Sequence, residues 1–221
     1  LGLFAICLSF SAFAGNNDIY ITQTGTGLTL TIDQIGATNT VGTSGARATL
    51  SGTSMTVDID QIGDSNSFLA SILQGNSSSW DWSVTGDSNT GTFAVGATGD
   101  VASSDFDYTT IGDSNTFVWT QGAASTATGG NQDFAITGTS NAYTGTCEVV
   151  GCINNWTVSG NSNTITTLQT GSADHQITAS LTGSSNTVTI DQTDTTSTNV
   201  VNLISTTTSG TIDVDQCASG C

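Results

Sequence analysis

Residues 59–66 read IDQIGDSN, and residues 32–39 read IDQIGATN. The second half returns as GDSN at 86–89 and 112–115, as GTSN at 138–141, as GNSN at 160–163 and as GSSN at 183–186. The shared skeleton is Gly-x-x-Asn, written seven times at spacings of 27, 23, 26, 26, 22 and 23. A period of roughly 20–50 residues marks a stack of structural units rather than a chain folded around one centre.

Each repeat glycine serves as a zero point, because a strand turns alternate residues to one face. Two positions before it stand Gln34, Gln61, Val84, Thr110, Ile136, Val158 and Leu181. Four before stand Ile32, Ile59, Trp82, Tyr108, Phe134, Trp156 and Ala179, and six before stand Leu30, Val57, Trp80, Phe106, Gln132, Asn154 and Ile177. These are mostly large, β-branched or aromatic, which predicts the buried face of a first strand. Two positions after each asparagine stand Val41, Phe68, Gly91, Phe117, Tyr143, Ile165 and Val188, and six after stand Gln121, Gln169 and Gln192 in later repeats. That predicts a second strand. Gly36, Gly63, Gly86, Gly112, Gly138, Gly160 and Gly183 would then open the turns between them, where glycine supplies backbone freedom and Asn tolerates a left-handed conformation.

The expected fold is all-β: a β-solenoid of about eight stacked strand–turn–strand repeats, cross-β and amyloid-like. A single repeat cannot bury its own apolar strip, whereas copies stacked in register bury it continuously. The aromatic column Trp82, Tyr108, Phe134 and Trp156 is expected to stack as a core ladder. The turn asparagines Asn39, Asn66, Asn89, Asn115, Asn141, Asn163 and Asn186 would lie above one another, so that their amides bond along the stack. Gln34 and Gln61, then Gln121, Gln169 and Gln192, would form comparable ladders.

Composition agrees. Among 221 residues there is no proline, the only cation is Arg47, and the net charge is −17. Nucleic acid and anionic membranes are held by Lys and Arg, so neither is an expected partner. No later run approaches the roughly 20 apolar residues of a membrane helix. LGLFAICLSFSAFA (1–14) is apolar and closes on Ala12-Phe13-Ala14, the pattern of an export signal cleaved after Ala14. The reading frame is expected to begin upstream of it, leaving 15–221 as a single exported repeat domain.

The pattern Q-x-G-x-x-N, followed six residues later by Q, resembles the curlin repeat, the unit of the bacterial functional amyloid called curli. Gln34-Ile35-Gly36-Ala37-Thr38-Asn39 and Gln61-Ile62-Gly63-Asp64-Ser65-Asn66 carry its first half. Asn115 to Gln121, Asn163 to Gln169 and Asn186 to Gln192 carry its second. From the third repeat the leading Gln becomes Val, Thr, Ile or Leu. The resemblance implies a solenoid that polymerises end to end outside a Gram-negative cell, serving biofilm matrix and adhesion. Its implied partners are further copies of itself, a nucleator subunit and a curli-type secretion channel.

Five positions before the glycine, on the outward face, stand Asp58, Asp81, Asp107 and Asp133 on successive repeats. Stacked about 5 Å apart, such charges repel by about 0.8 kcal/mol in water and about 3 at an effective dielectric of 20. The row is therefore a candidate for weak Ca²⁺ binding or for raised carboxyl pKa values, set against a plain solvated acidic face. Cys147, Cys152, Cys217 and Cys221 are disulfide candidates, with the local pairs Cys147–Cys152 and Cys217–Cys221 favoured among three connectivities. His175 is the lone histidine, and no G-x-S-x-G, H-E-x-x-H or P-loop is present, so no catalytic residue is assigned. The alternative to a fibre subunit is a monomeric binding solenoid, either ice-binding or an adhesin stalk. TLTI (29–32) and TVTI (187–190) hint at a Thr-x-Thr array, but the motif is not expected to recur at one column on successive rungs.

Overall fold

The computed structural model describes residues 5–11, 16–36, 38–63, 65–86, 88–96, 102–112, 114–121, 130–138, 140–147, 152–160, 162–170, 175–183, 185–193, 199–206 and 209–216. For 5–11, 16–17, 73–74 and 152 it describes the backbone alone. Among these residues there are only strands and turns.

Two parallel sheets face each other. The first holds β1 (Ala5–Ser11), β4 (Thr29–Ile35), β7 (Thr56–Ile62), β9 (Ser79–Thr85), β11 (Ser104–Ile111), β13 (Gly130–Gly138), β15 (Cys152–Gly160), β17 (Gln176–Thr182) and β19 (Val200–Ser205), in that order. The second runs β2 (Asn16–Ile19), β5 (Thr38–Val41), β8 (Ser67–Gln74), β10 (Thr90–Val95), β12 (Thr116–Gln121), β14 (Ala142–Cys147), β16 (Thr164–Gln169), β18 (Thr187–Ile190) and β20 (Thr211–Asp213). Two short strands, β3 (Thr22–Thr24) and β6 (Ala48–Ser51), extend the second sheet beside β8. The chain crosses from the first sheet to the second at every Gly-x-x-Asn turn and returns to begin the next rung, so it is a β-solenoid. Seven rungs carry the Gly-x-x-Asn turn, from β4/β5 to β17/β18, and β1/β2 and β19/β20 flank them.

Parallel pairing is in register, so each sequence column becomes a physical column. Gln34 pairs with Gln61, Gln61 with Val84, Val84 with Thr110 and Thr110 with Ile136. All residues two, four and six before the seven glycines are buried. The apolar ones join the second-sheet residues Phe68, Phe93, Phe117, Trp119 and Ile165 in one core strip. At about 1.5–3 kcal/mol for each large apolar side chain, that strip is the main stabilising element.

The aromatic column departs from a simple stack. Trp82 and Tyr108 do touch, at 4.6 Å between ring centroids. Phe117 of the opposite sheet, however, stacks on Tyr108 at 4.1 Å and lies against Phe134 at 4.9 Å. The two inner faces interdigitate, because large rings facing one another fill space best by alternating. Gly91 fits this packing: a Cβ there would run into the Trp82 ring.

The turn edge explains why glycine recurs. A Cβ on Gly112 would collide with the Gly86 carbonyl oxygen, one on Gly138 with that of Gly112, and one on Gly160 with that of Gly138. Successive turns therefore stack backbone on backbone with no room for any side chain. The opposite edge absorbs the variation in repeat length. The first spacing of 27 includes an inserted loop after β5, closed by a Thr43–Ala46 bridge, and β5 and β6 both pair β8.

Residues 5–11 of the expected export signal run, in the intact chain, as β1 along β4, with Ile6 opposite Leu30 and Leu8 opposite Ile32.

Candidate functional site: amide ladders and two unlike outer faces

The turn asparagines are all buried, and they divide into two groups. From Asn115 onward the amides bond each other. Asn141 Nδ2 donates to Asn115 Oδ1 at 3.0 Å, Asn163 Nδ2 to Asn141 Oδ1 at 2.8 Å, and Asn186 Nδ2 to Asn163 Oδ1. In the first two repeats the amides serve the backbone instead. Asn39 Nδ2 donates to Gly36 O (3.2 Å) and Ile62 O (3.3 Å), and Asn66 Nδ2 to Gly63 O (3.2 Å) and Thr85 O (3.4 Å). Either arrangement ties one rung to another. Asn89, between the groups, has no hydrogen-bond partner for its amide among the described residues.

The glutamines differ from a continuous ladder as well. Gln61 Nε2 donates to Gln34 Oε1 at 2.7 Å, and Gln61 Oε1 then accepts from Trp82 Nε1 at 3.0 Å. An indole thus continues the chain where the third repeat lacks its Gln. On the second strand, Cys147 lies in register between Gln121 and Gln169, so those two are not neighbours. The ladder resumes beyond it: Gln169 Nε2 donates to Gln192 Oε1 at 2.8 Å, and Gln192 Nε2 to Gln216 Oε1 at 3.2 Å. Asn154 of the opposite sheet donates to Gln169 Oε1 at 3.0 Å, closing the core.

Outside the first sheet, Asp58, Asp81, Asp107 and Asp133 occupy one column on consecutive strands. Burial, and then Asp60 and Asp33, raise the carboxyl of Asp58 above its ordinary range. Burial likewise leads for Asp81, followed by Asp58, Asp107 and Asp60, and for Asp107, followed by Asp133 and Asp105. Asp133 is held differently, since its carboxylate accepts from Asn131 Nδ2 at 2.6 Å and from Asn155 Nδ2 at 2.8 Å. The row supplies one carboxylate per strand and does not converge. Among the described residues no group of three or more His, Cys, Asp or Glu is gathered to hold a metal ion. The expected Ca²⁺ row therefore has no ligand cluster behind it.

The outside of the second sheet is unlike the first. On β10, β12, β14, β16 and β18 the outward pairs are Thr90/Thr92, Thr116/Val118, Ala142/Thr144, Thr164/Thr166 and Thr187/Thr189, in register from strand to strand. Eight of these ten are Thr and none is charged, so a threonine-rich face spans five strands, although the complete Thr-x-Thr motif is interrupted at Val118 and Ala142 and stands side by side only on β16 and β18. It was hidden because TLTI (29–32) lies on the first sheet and TVTI (187–190) on the second. Variable connections also blur the spacing of the remaining members.

The chain matches no protein-family model, no curated protein and no solved structure. Any functional reading therefore rests on the geometry.

Other candidates occupy structural positions. Cys147 is fully buried at the end of β14, and Cys152 opens β15. The Cys152 side chain, Cys217 and Cys221 lie outside the described residues. His175 is buried just before β17, where its carbonyl accepts from Val200 N at 3.0 Å. The space among Trp80, Trp82, Phe93, Phe106, Phe117 and Trp119 amounts to about 20 Å³. A gap of that size holds at most one water, so the aromatic strip is core and not a ligand pocket.

Proposed function

We propose that this protein is an exported structural subunit that self-assembles end to end into extracellular, curli-like amyloid fibres on a Gram-negative cell surface, for biofilm matrix and adhesion. The observation that carries the reading is the parallel, in-register pairing of like columns across every rung. Parallel edges are heterologous, so a rung of a second copy docks on a terminal rung as one rung docks on the next within the chain, and this generates an open filament. The β19/β20 rung supports this. Val201 and Leu203 continue the core columns at partial exposure, and Ile212 lies exposed beyond Val188. Amide ladders give the same rung interchangeability to buried polar groups.

In this reading residues 1–14 are removed on export, by a cut between β1 and β2, and a Cys147–Cys152 disulfide closes the loop joining two rungs. A nucleator subunit and a curli-type secretion channel are the proposed partners. The test is electron microscopy with fibre diffraction on aged residues 15–221. Filaments with a meridional repeat of about 4.7–4.8 Å are the expected result. A species that stays monomeric through ageing and seeding overturns the proposal.

A further inference from the structure

Fibre formation uses the two ends of the stack and leaves both outer faces uncommitted. We propose that the outer face of the second sheet binds crystalline water, that is, ice.

The argument begins with spacing. Adjacent rungs are about 4.8 Å apart, and alternate residues of one strand about 6.6 Å apart. Thr164, Thr166, Thr187 and Thr189 therefore mark the corners of a cell whose edges lie near the oxygen repeats of an ice prism plane, and Thr holds eight of the ten equivalent corners from β10 to β18. Threonine suits this chemistry. Its β-branched side chain is stiff at χ1, so hydroxyls and methyls stand in fixed ranks. The methyls order water around themselves, and the hydroxyls anchor that ordered layer by hydrogen bonds. Val118 keeps the shape of Thr at its position and Ala142 leaves a small gap, so neither breaks the rank with a charge.

The alternatives fit less well. A charged ligand has no counter-charge within the array, because the outward residues of these five strands are neutral and the only charges bordering it among the described residues, Asp191 and Asp213, lie at its edge beside Thr189. A crystalline glycan is gripped by aromatic platforms, and Phe93, Phe117, Trp119 and Tyr143 of this sheet all turn inward. What remains is a flat, periodic, uncharged partner rich in hydrogen-bonding oxygens. The opposite sheet is an internal control: its carboxylates hold tight, oriented hydration that does not match an ice lattice.

The test partitions the full chain between a slowly growing ice surface and the remaining liquid, alongside microscopy of ice-crystal shape. The unaltered chain is expected to concentrate in the ice and to facet the crystals. Thr166→Lys with Thr189→Lys is expected to stay in the liquid and give rounded crystals, while Asp81→Asn with Asp107→Asn on the other sheet retains ice enrichment. Circular dichroism checks the fold. If the lysine variant misfolds, Thr166→Ala with Thr189→Ala, which breaks the array without adding charge, replaces it and is expected to lose enrichment. Exclusion of the unaltered chain from ice overturns the proposal, as does retention by a folded face variant. A face that instead pairs laterally with a second copy would show altered association in the variants and no ice enrichment, which also overturns it.

Discussion

The two sheets share one core, one turn edge and one repeat, yet their outer faces diverge. The first presents Asp58, Asp81, Asp107 and Asp133 in a row, and the second presents threonines. Folding demands little of either face, since the inward columns carry the apolar burial. Three or four successive repeats nevertheless hold one residue type at one outward position on each side. Stacking multiplies any single outward choice into a row, so one column can carry one property over several rungs, as Asp58, Asp81, Asp107 and Asp133 do on one face and Thr144, Thr166 and Thr189 on the other. That is how a small repeat builds an extended charged face and an extended neutral face on the same body.

The comparison breaks most completely at the feature both faces depend on. Gly138→Ala sets a methyl against the Gly112 carbonyl group, backbone that cannot move aside, and against the amide oxygen of Asn115. A loss of more than about 4 kcal/mol is expected, among the largest single-substitution effects. Chemical unfolding should show both faces disordering together, read by tryptophan fluorescence for the core and by proteolysis for the surfaces.

A second, smaller break separates the two halves of the stack. Asn141→Ala removes the acceptor of Asn163 Nδ2 and the donor to Asn115 Oδ1, both buried. About 3 kcal/mol should be lost. Asn89→Ala, where the amide has no described partner, should cost about 1 kcal/mol or less. Equal costs at the two sites, measured by urea denaturation, would mean that the amide ladder contributes nothing beyond turn geometry.

The columns were legible in the sequence for a physical reason. Each Gly-x-x-Asn turn fixes the phase of both flanking strands, and a period of two then assigns every inward residue. Legibility stopped where phase was lost or where contact ran between sheets. Trp82 Nε1 donating to Gln61 Oε1 joins two different columns, so no single-column reading finds it. Cys147 interrupts the glutamines because only the register places it between Gln121 and Gln169. The threonine face was missed because attention followed the apolar positions. Counting one and three residues after each asparagine would have revealed it, since the phase was already known.

The acidic face should be sharpened by pH. Asp58, Asp81 and Asp107 are raised in the folded chain, so the folded state binds more protons than the unfolded chain in the window above the ordinary carboxylate value of about 3.9. Stability is therefore greatest below that window, falls as pH rises through it and then levels off. Asp81→Asn with Asp107→Asn should flatten the profile and raise stability at neutral pH. An unchanged slope in thermal melts across the window would show that these carboxylates are too well solvated to matter. Fibre growth should follow the same sign, faster in mild acid for the unaltered chain and less pH-dependent for the variant.

The smallest expected effect tests the neutral face. Thr164 points outward and is exposed, so Thr164→Lys should change stability by no more than about 1 kcal/mol, the span of β-propensity. The same charge change is not symmetrical across the molecule. Asp81→Lys places a cation between Asp58 and Asp107 and should stabilise, because it replaces repulsion with attraction along the row. If Thr164→Lys proves nearly neutral for folding, the uniformity of the threonine face is not a requirement of the solenoid. A surface kept free of charge at no gain in stability is then explained by what it touches. If Thr164→Lys instead costs several kcal/mol, the threonines are holding the sheet together, and the face has a structural explanation.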